Sequence, residues 1–389
     1  MKNKFNLTIL LLIFPFLQIL GQDIAAIEKL EINSKILNQQ RTLFVYTPWN
    51  YSERDLVSFD VIYVFDVQHR EISDLVHSSL SFLMGSKKFI VVGIPSLQYN
   101  DTNYYRNDDF LPKPINVKLE DYLTQNPNAE NFWKFVDEEV IPLIETKYRT
   151  TDRRFAIGHS LSASFVLDKV INEAEVFKGC IAISPNLAYD NYRLANDFIK
   201  IDFNKSSEKK FIYISQSNEL TTWAKPWGIG YSKIISFLDT IEDFGKYTIL
   251  TKEFPENEHW NTYLPSLISG LTLLKSFIEE NIYTLNGNFQ EITFKIIVPD
   301  KNDDAYIVGN QLNLGNWEPS KIKLERVSDF EREIKLSVQF PIEFKITRGT
   351  WNSVAFTDQT TNDGENIVIY KSINNQINLK VNVWNDRQY

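Results

Sequence analysis

The sequence predicts an α/β fold, a doubly wound and mostly parallel sheet covered by helices on both faces, followed by a small all-β sandwich. Two observations carry this. Between residues 28 and 280, short apolar runs alternate with amphipathic stretches, the pattern of a sheet whose crossover helices pack on it from both sides. From about Asn286 the helical period disappears, and short alternating runs punctuated by Gly, Asn and Asp replace it. The chain has 389 residues, 43% of them hydrophobic and 14% aromatic, which is ample for large cores.

In chain order, residues 1–21 have the layout of a signal peptide. Lys2 and Lys4 precede an apolar run from Leu7 to Leu20, and Gly21 supplies a small residue near the exit. The run is shorter than the roughly 20 residues a bilayer span needs, and Pro15 interrupts it. The mature protein is therefore expected to be secreted or periplasmic, from a bacterium, with no membrane insertion after cleavage. The α/β body is assigned to residues 23–284. Its strands are expected at Arg41–Thr47, Asp60–Asp66, Phe89–Ile94, Phe155–Ile157, Gly179–Ser184, Phe211–Ser215 and Tyr247–Phe254. Helices are expected at Ala129–Tyr148, Ser162–Asn172, Ile229–Phe244 and Leu264–Ile278. Asn286-Gly287-Asn288 supplies turn chemistry for a linker near Thr284–Phe289. The sandwich is assigned to residues 289–389, with strands at Glu291–Val298, Asp304–Val308, Glu333–Val338, Ile342–Arg348, Ile367–Tyr370 and Ile377–Val383.

Charge and cysteine content narrow the chemistry. Asp+Glu is 50 against Lys+Arg 41, a formal charge of -9, so no long-range field favours nucleic acid or anionic lipid. The single cysteine, Cys180, excludes an intramolecular disulfide and a cysteine metal cluster, and its apolar neighbours read as a buried strand. His-Glu-X-X-His does not occur, so no metal and no cofactor are expected. Only four histidines exist, His69, His77, His159 and His259, which makes an imidazole base easy to search for.

Arg154 to Phe165 carries the first site. A strand enters Gly158-His159-Ser160-Leu161-Ser162 and a helix leaves it, the context of a nucleophile elbow. The turn is tight enough to strain the serine and to demand small residues on either side of it. Gly158 meets that demand, and Ser162 stands where the pattern usually has glycine. Ser160 thus reads as the nucleophile; the plain alternative is an N-capping serine in an ordinary strand-to-helix turn. A hydroxyl needs a base, and in this topology the base follows the last strand. His259, in Pro255-Glu256-Asn257-Glu258-His259-Trp260, is so placed. His69 and His77 come early, and the His159 side chain is expected to point away from the serine. A carboxylate after the penultimate strand should orient the base, which selects Glu219 over Asp239, Glu242, Glu256 and Glu258; a Ser-His dyad stays open. Leu161 N–H, at the start of the following helix, should serve the oxyanion, with a second donor from Val67 or Gln68.

Arg41 to Pro48, Val61 to Asp66, Val91-Val92-Gly93-Ile94-Pro95, Arg106 with Asp109-Phe110-Leu111-Pro112, Gly158 to Ser162, Ile183-Ser184-Pro185, and Phe254-Pro255 with Glu258-His259 follow one another as in a known family. Residues 28–280 resemble the Putative esterase family, which groups esterase D, feruloyl esterases and siderophore esterases. The resemblance implies an α/β-hydrolase acting on a carboxylic ester, with Ser160 as nucleophile and His259 as base. Ser162 departs from the usual glycine, and Val67 stands where an Asp-Gly pair is common.

Residues 289–386 resemble a starch-binding module of carbohydrate-binding family 20, through Ala305 to Pro319, Ile342 to Trp351 and Glu365-Asn366. That resemblance implies a platform of Trp317 and Trp351 on which glucose rings stack, with Lys345 and Asn366 as polar contacts and an α-glucan or other neutral glycan as partner. Both tryptophans as core residues is the alternative, whereas Trp384 is expected in the core. The leading expectation is a secreted serine esterase targeted to a glycan. The alternatives are a non-catalytic glycan-binding protein with an inactive hydrolase domain, and an acyltransferase.

Overall fold

The computed structural model describes residues 25–387 except 50, 86, 97–104, 117, 119–125, 173–174, 205, 282, 284, 361–364 and 372–373. The expected signal peptide lies outside the described residues. The body is one eight-stranded sheet in the order β1-β2-β4-β3-β5-β6-β7-β8. Its strands are β1 (Ile27–Ser34), β2 (Gln39–Tyr46), β3 (Phe59–Phe65), β4 (Phe89–Ile94), β5 (Thr150–His159), β6 (Gly179–Ile183), β7 (Lys210–Gln216) and β8 (Tyr247–Glu253). From β4 to β8 all pairings are parallel; β1 and β2 add an antiparallel edge.

Strands buried on both faces read as continuous apolar runs, and β3 is buried at all seven positions. Its side chains alternate between two cores. Val61, Tyr63 and Phe65 join Phe165 and Phe177 on one face, while Ile62 and Val64 join Val76, Leu267 and Leu271 on the other. The covering helices are α1 (Arg70–Leu83), α2 (Tyr105–Phe110), α3 (Ala129–Lys134), α4 (Ile141–Lys147), α5 (Leu161–Asn172), α6 (Tyr189–Phe198), α7 (Lys225–Leu238) and α8 (Tyr263–Glu280). On α8 a side chain at Gly270 would meet Ile181 Cγ2 at 2.8 Å, so glycine lets this helix lie directly on β6.

The single helix expected over Ala129–Tyr148 is interrupted by a π-helical turn at Phe135–Val140. Pro142 has no N–H to give Glu138, and the Ile141 N–H reaches back five residues to Val136. Cys180 is buried in β6, as its setting predicts, and burial pushes its thiol up.

Asn286-Gly287-Asn288, expected as a turn, instead opens β9 (Asn286–Ile297). The sheet-rich region continues through β10 (Tyr306–Gly309), β11 (Ile322–Lys323), β12 (Glu325–Arg326), β13 (Glu331–Phe340), β14 (Ile342–Thr347), β15 (Ala355–Thr357), β16 (Ile367–Ile369) and β17 (Gln376–Trp384). These form a sheet of order β11-β10-β14-β16 and another of order β12-β13-β9-β17-β15. Trp384 is fully buried and donates its indole N–H to Asp303 Oδ2 at 2.7 Å, a core residue as expected.

The region is locked to the body. Arg54 pairs with Glu365 at 2.7 Å, both side chains being buried, and its Nε donates to the Gln359 carbonyl at 2.9 Å. The Gln359 amide accepts from Leu56 N–H and donates to Asp55, and Ser58 N–H donates to the Val368 carbonyl at 2.8 Å. All these body residues precede β3. The region therefore docks at the edge of the sheet where the parallel strands begin.

Candidate active site

At the opposite edge, where the parallel strands end, β5 runs into Ser160 and α5 begins one residue later. Ser160 has φ 61, a left-handed conformation that costs a non-glycine residue about 1 kcal/mol or more. It is held there by its N–H donating to Ile183 O at 2.9 Å and by its carbonyl accepting from Ser164 N–H. A side chain at Gly158 would come within 2.4 Å of the Ser162 carbonyl, so the strand can turn into the helix only with glycine at that position. Ser162 is fully buried. Its hydroxyl accepts from the His159 N–H at 3.0 Å and donates to the His159 carbonyl at 2.9 Å. The departure from glycine is therefore a clasp: one hydroxyl bonds both backbone groups of the residue before the nucleophile.

Glu219 opens a short 3-10 turn after β7, and His259 lies in the loop after β8. Those loops are joined by Asn218 N–H donating to Asn257 O at 3.0 Å. The His259 Nδ1–H donates to Glu219 Oε1 at 3.2 Å, with both residues buried, and Nε2 has no partner among the described residues. Burial works to raise the Glu219 carboxyl. The hydrogen bond from His259 and the adjacent Ser217 and Ser184 hydroxyls outweigh it and hold the carboxyl below its ordinary range.

His159, set aside on the sequence, belongs to this cluster. Its ring stacks on His259 with centroids 4.8 Å apart and planes at 26°, and its Nε2 lies 3.0 Å from the His259 carbonyl. Burial, with His259 and Arg106 nearby, pushes its imidazole down to about 3, so the ring is neutral and Nε2–H is the donor. The sequence also left three tryptophans unused. Trp223, Trp227 and Trp260 meet the His259 ring edge-on at 5.8, 4.8 and 5.1 Å. Trp223 and Trp260 are 66% and 70% exposed, so two indoles face solvent beside the candidate base. Trp-rich loops after β7 and β8 were the available signal.

Of the expected oxyanion donors, Leu161 is the first residue of α5, where N–H groups lack helical partners. Gln68 lies just past β3, which runs beside β5 with Val64 opposite Ile157. Its side-chain amide donates to Asp66 Oδ1 at 2.6 Å, and Arg106 holds the other oxygen of Asp66 at 2.6 Å. Val67 is fully buried beneath them. A cavity of about 210 Å³ beside the elbow is lined by Leu161, Ser164, Asn186, Phe110, Leu111 and Leu194.

Of the four residues expected to contact a glycan, Trp317 and Asn366 line one crevice. Trp317, half-buried with φ 62, lines a crevice of about 350 Å³ against the body, together with Asn366, Glu343, Arg54 and Lys88. Trp351, 47% exposed, does not line it, and neither does Lys345. Lys345 Nζ donates to Glu365 O at 2.7 Å and Asn366 donates to Glu343 at 2.7 Å.

Residues 34–269 match the model of the Putative esterase family. The ferri-bacillibactin esterase BesA of Bacillus subtilis is 29% identical over 107 residues, which is 26% of this chain and 37% of that protein. Among solved structures, an IroE-like serine hydrolase from Shewanella oneidensis superposes with a TM-score of 0.53 at 19% identity, over 64% of this chain and 80% of its own. The siderophore hydrolase EstA from Aspergillus nidulans gives a TM-score of 0.54 at 18% identity, over 64% and 94%. These superpositions establish the α/β-hydrolase fold, and the family match spans the strands from β2 to β8 and the elbow between them. On that match the chain belongs to the Putative esterase family.

Proposed function

We propose that the chain is a secreted serine esterase that hydrolyses a carboxylic ester through an acyl-enzyme at Ser160. One observation carries the reading: a strained serine on a strand-to-helix elbow directly follows His159, whose ring stacks on a histidine with its Nδ1 paired to a buried carboxylate and its Nε2 unpartnered among the described residues. In this mechanism His259 Nε2 takes the Ser160 proton as Oγ attacks the ester carbonyl. Glu219 stabilises the imidazolium, which then gives its proton to the departing alcohol. Water repeats the sequence on the acyl-enzyme. Leu161 N–H and a donor from Gln68 would hold the oxyanion, each contributing on the order of 10²–10³ in rate.

Relatives named for siderophore hydrolysis make trilactone siderophores the first natural substrates to assay, and the exposed Trp223 and Trp260 suit an aromatic group near the scissile bond. Ser160→Ala should abolish hydrolysis of p-nitrophenyl butyrate and labelling by a fluorophosphonate; a folded variant that keeps either sinks the assignment. An added alcohol acceptor that diverts the acyl group would favour an acyltransferase.

For the C-terminal region, the reading is a β-sandwich of starch-binding type that tethers the enzyme to a neutral glycan. The exposed indole of Trp351 supports it. Trp351→Ala should weaken retention on starch; unchanged retention rejects the platform. Export through residues 1–21 is checked by the N-terminal sequence of the protein recovered outside the cytoplasm.

A further inference from the structure

We propose that His159 is a positioning residue for His259, holding the base in register with the nucleophile through a ring stack and a hydrogen bond to the base's own main chain. The proposal rests on the reading of Ser160 and His259 as nucleophile and base.

Three observations carry it. First, the two histidines are 100 residues apart in sequence yet share two contacts, the stack at 4.8 Å and the Nε2–H to carbonyl bond at 3.0 Å. The bond fixes where the His259 backbone sits, and the stack fixes the plane of its ring. Second, His159 is itself immobilised. The Ser162 hydroxyl bonds both its N–H and its carbonyl, and its ring meets Tyr263 at 5.6 Å and Trp260 at 6.1 Å, both edge-on. Third, His159 immediately precedes Ser160, so the elbow that aims the nucleophile also carries the anchor of the base. Glu219 grips Nδ1 alone, and three indoles meet the ring edge-on, whereas His159 is stacked on it at 26° between planes and so resists its tilting about the Nδ1 bond.

The neutrality of His159 suits the role. An imidazolium stacked on His259 would oppose the positive charge that His259 acquires during proton transfer. Arg106 and Glu219 are charged groups that act on the His159 ring, in opposite directions. Reacting groups misplaced by about 1 Å can lose on the order of 10² in rate, which sets the scale of the effect.

The experiment uses the full chain with His159→Ala, which removes both contacts, His159→Phe, which keeps a ring to stack, and His159→Gln, which keeps a donor for the carbonyl. The readouts are kcat and KM on p-nitrophenyl butyrate, and the proton resonance of His259 Nδ1–H by NMR, simplified by there being four histidines. The expected result for His159→Ala is a fall in kcat of about 10- to 100-fold with KM within about twofold, and a broadened or lost Nδ1–H signal. Phe and Gln should each recover part of both. Wild-type kcat with an intact signal in His159→Ala overturns the proposal, as does a loss expressed only in KM. Should His159→Ala not fold, wild-type kcat and signal in both Phe and Gln variants overturn it. An inactive wild type would defeat the esterase reading, while the NMR comparison would still decide the positioning role.

Discussion

Removing the carboxylate of Glu219 is the sharpest perturbation of the proposed chemistry. His259 Nδ1 lies 3.2 Å from Glu219 Oε1, and both side chains are buried. At an effective dielectric of about 20, a full charge on His259 at that separation interacts with the carboxylate by roughly 5 kcal/mol, since 332/(20 × 3.2) is about 5. In the proposed mechanism His259 takes up its proton as the transition state forms, so that interaction acts on the barrier. It corresponds to a loss of between about 10³ and 10⁴ in kcat for Glu219→Gln, which preserves shape and can still bond to the ring. The amide can also offer its NH₂ to Nδ1, which selects the wrong tautomer and works in the same direction. The assay is kcat and KM on p-nitrophenyl butyrate, with the change expected in kcat. A Glu219→Gln enzyme within about tenfold of wild type would refute the reasoning and point to a Ser-His dyad.

Further outcomes follow from other contacts. Arg54→Ala removes the guanidinium paired with the buried Glu365 carboxylate and should lower stability by up to about 3–5 kcal/mol by urea unfolding; replacing both by apolar residues should restore most of it. Ser162→Gly removes two hydrogen bonds from the elbow and should cost about 1–3 kcal/mol, read as a lower Tm. The depressed His159 imidazole binds its proton more weakly in the folded chain than in the unfolded one. The stability it contributes is therefore full above its ordinary value near 6.5 and is lost as pH falls from there toward about 3. His159→Gln should flatten the Tm profile across that window, and an unchanged slope would show the ring to be water-accessible.

The legibility of the chain tracks what each segment buries. Parallel strands are enclosed on both faces, so β4 is a continuous apolar run and is found end to end at Phe89–Ile94. At the sheet edge, β1 carries Glu28, Lys29 and Glu31 on largely exposed positions, and its sequence does not read as a strand. Helix α6, rich in Asn and Asp, is equally quiet in sequence. The π-helical turn is masked because the apolar period continues through Phe135–Val140, and only Pro142 just beyond it marks the break.

The site divides in the same way. Ser160 announces itself through a local motif, and Glu219 and His259 through their order after the last two strands. The His159–His259 stack and the tryptophans around it join the end of β5, the start of α7 and the loops after β7 and β8, and no local spacing encodes that meeting. Ser162 had the opposite fate: it looked like a defect in the motif, and its two bonds to His159 are visible only in three dimensions.

The docking of the sheet-rich region has a consequence for reach. The ten residues of β5 separate the docking edge of the body from Ser160, and at about 3.3 Å per residue that is a span of roughly 30 Å. With Arg54, Gln359 and Ser58 fixing the region in place, a ligand held there cannot swing round to the nucleophile. If the region holds a glycan, as proposed, a bound sugar and a cleaved ester would be distant points on one long polymer, or two separate molecules brought together on a surface.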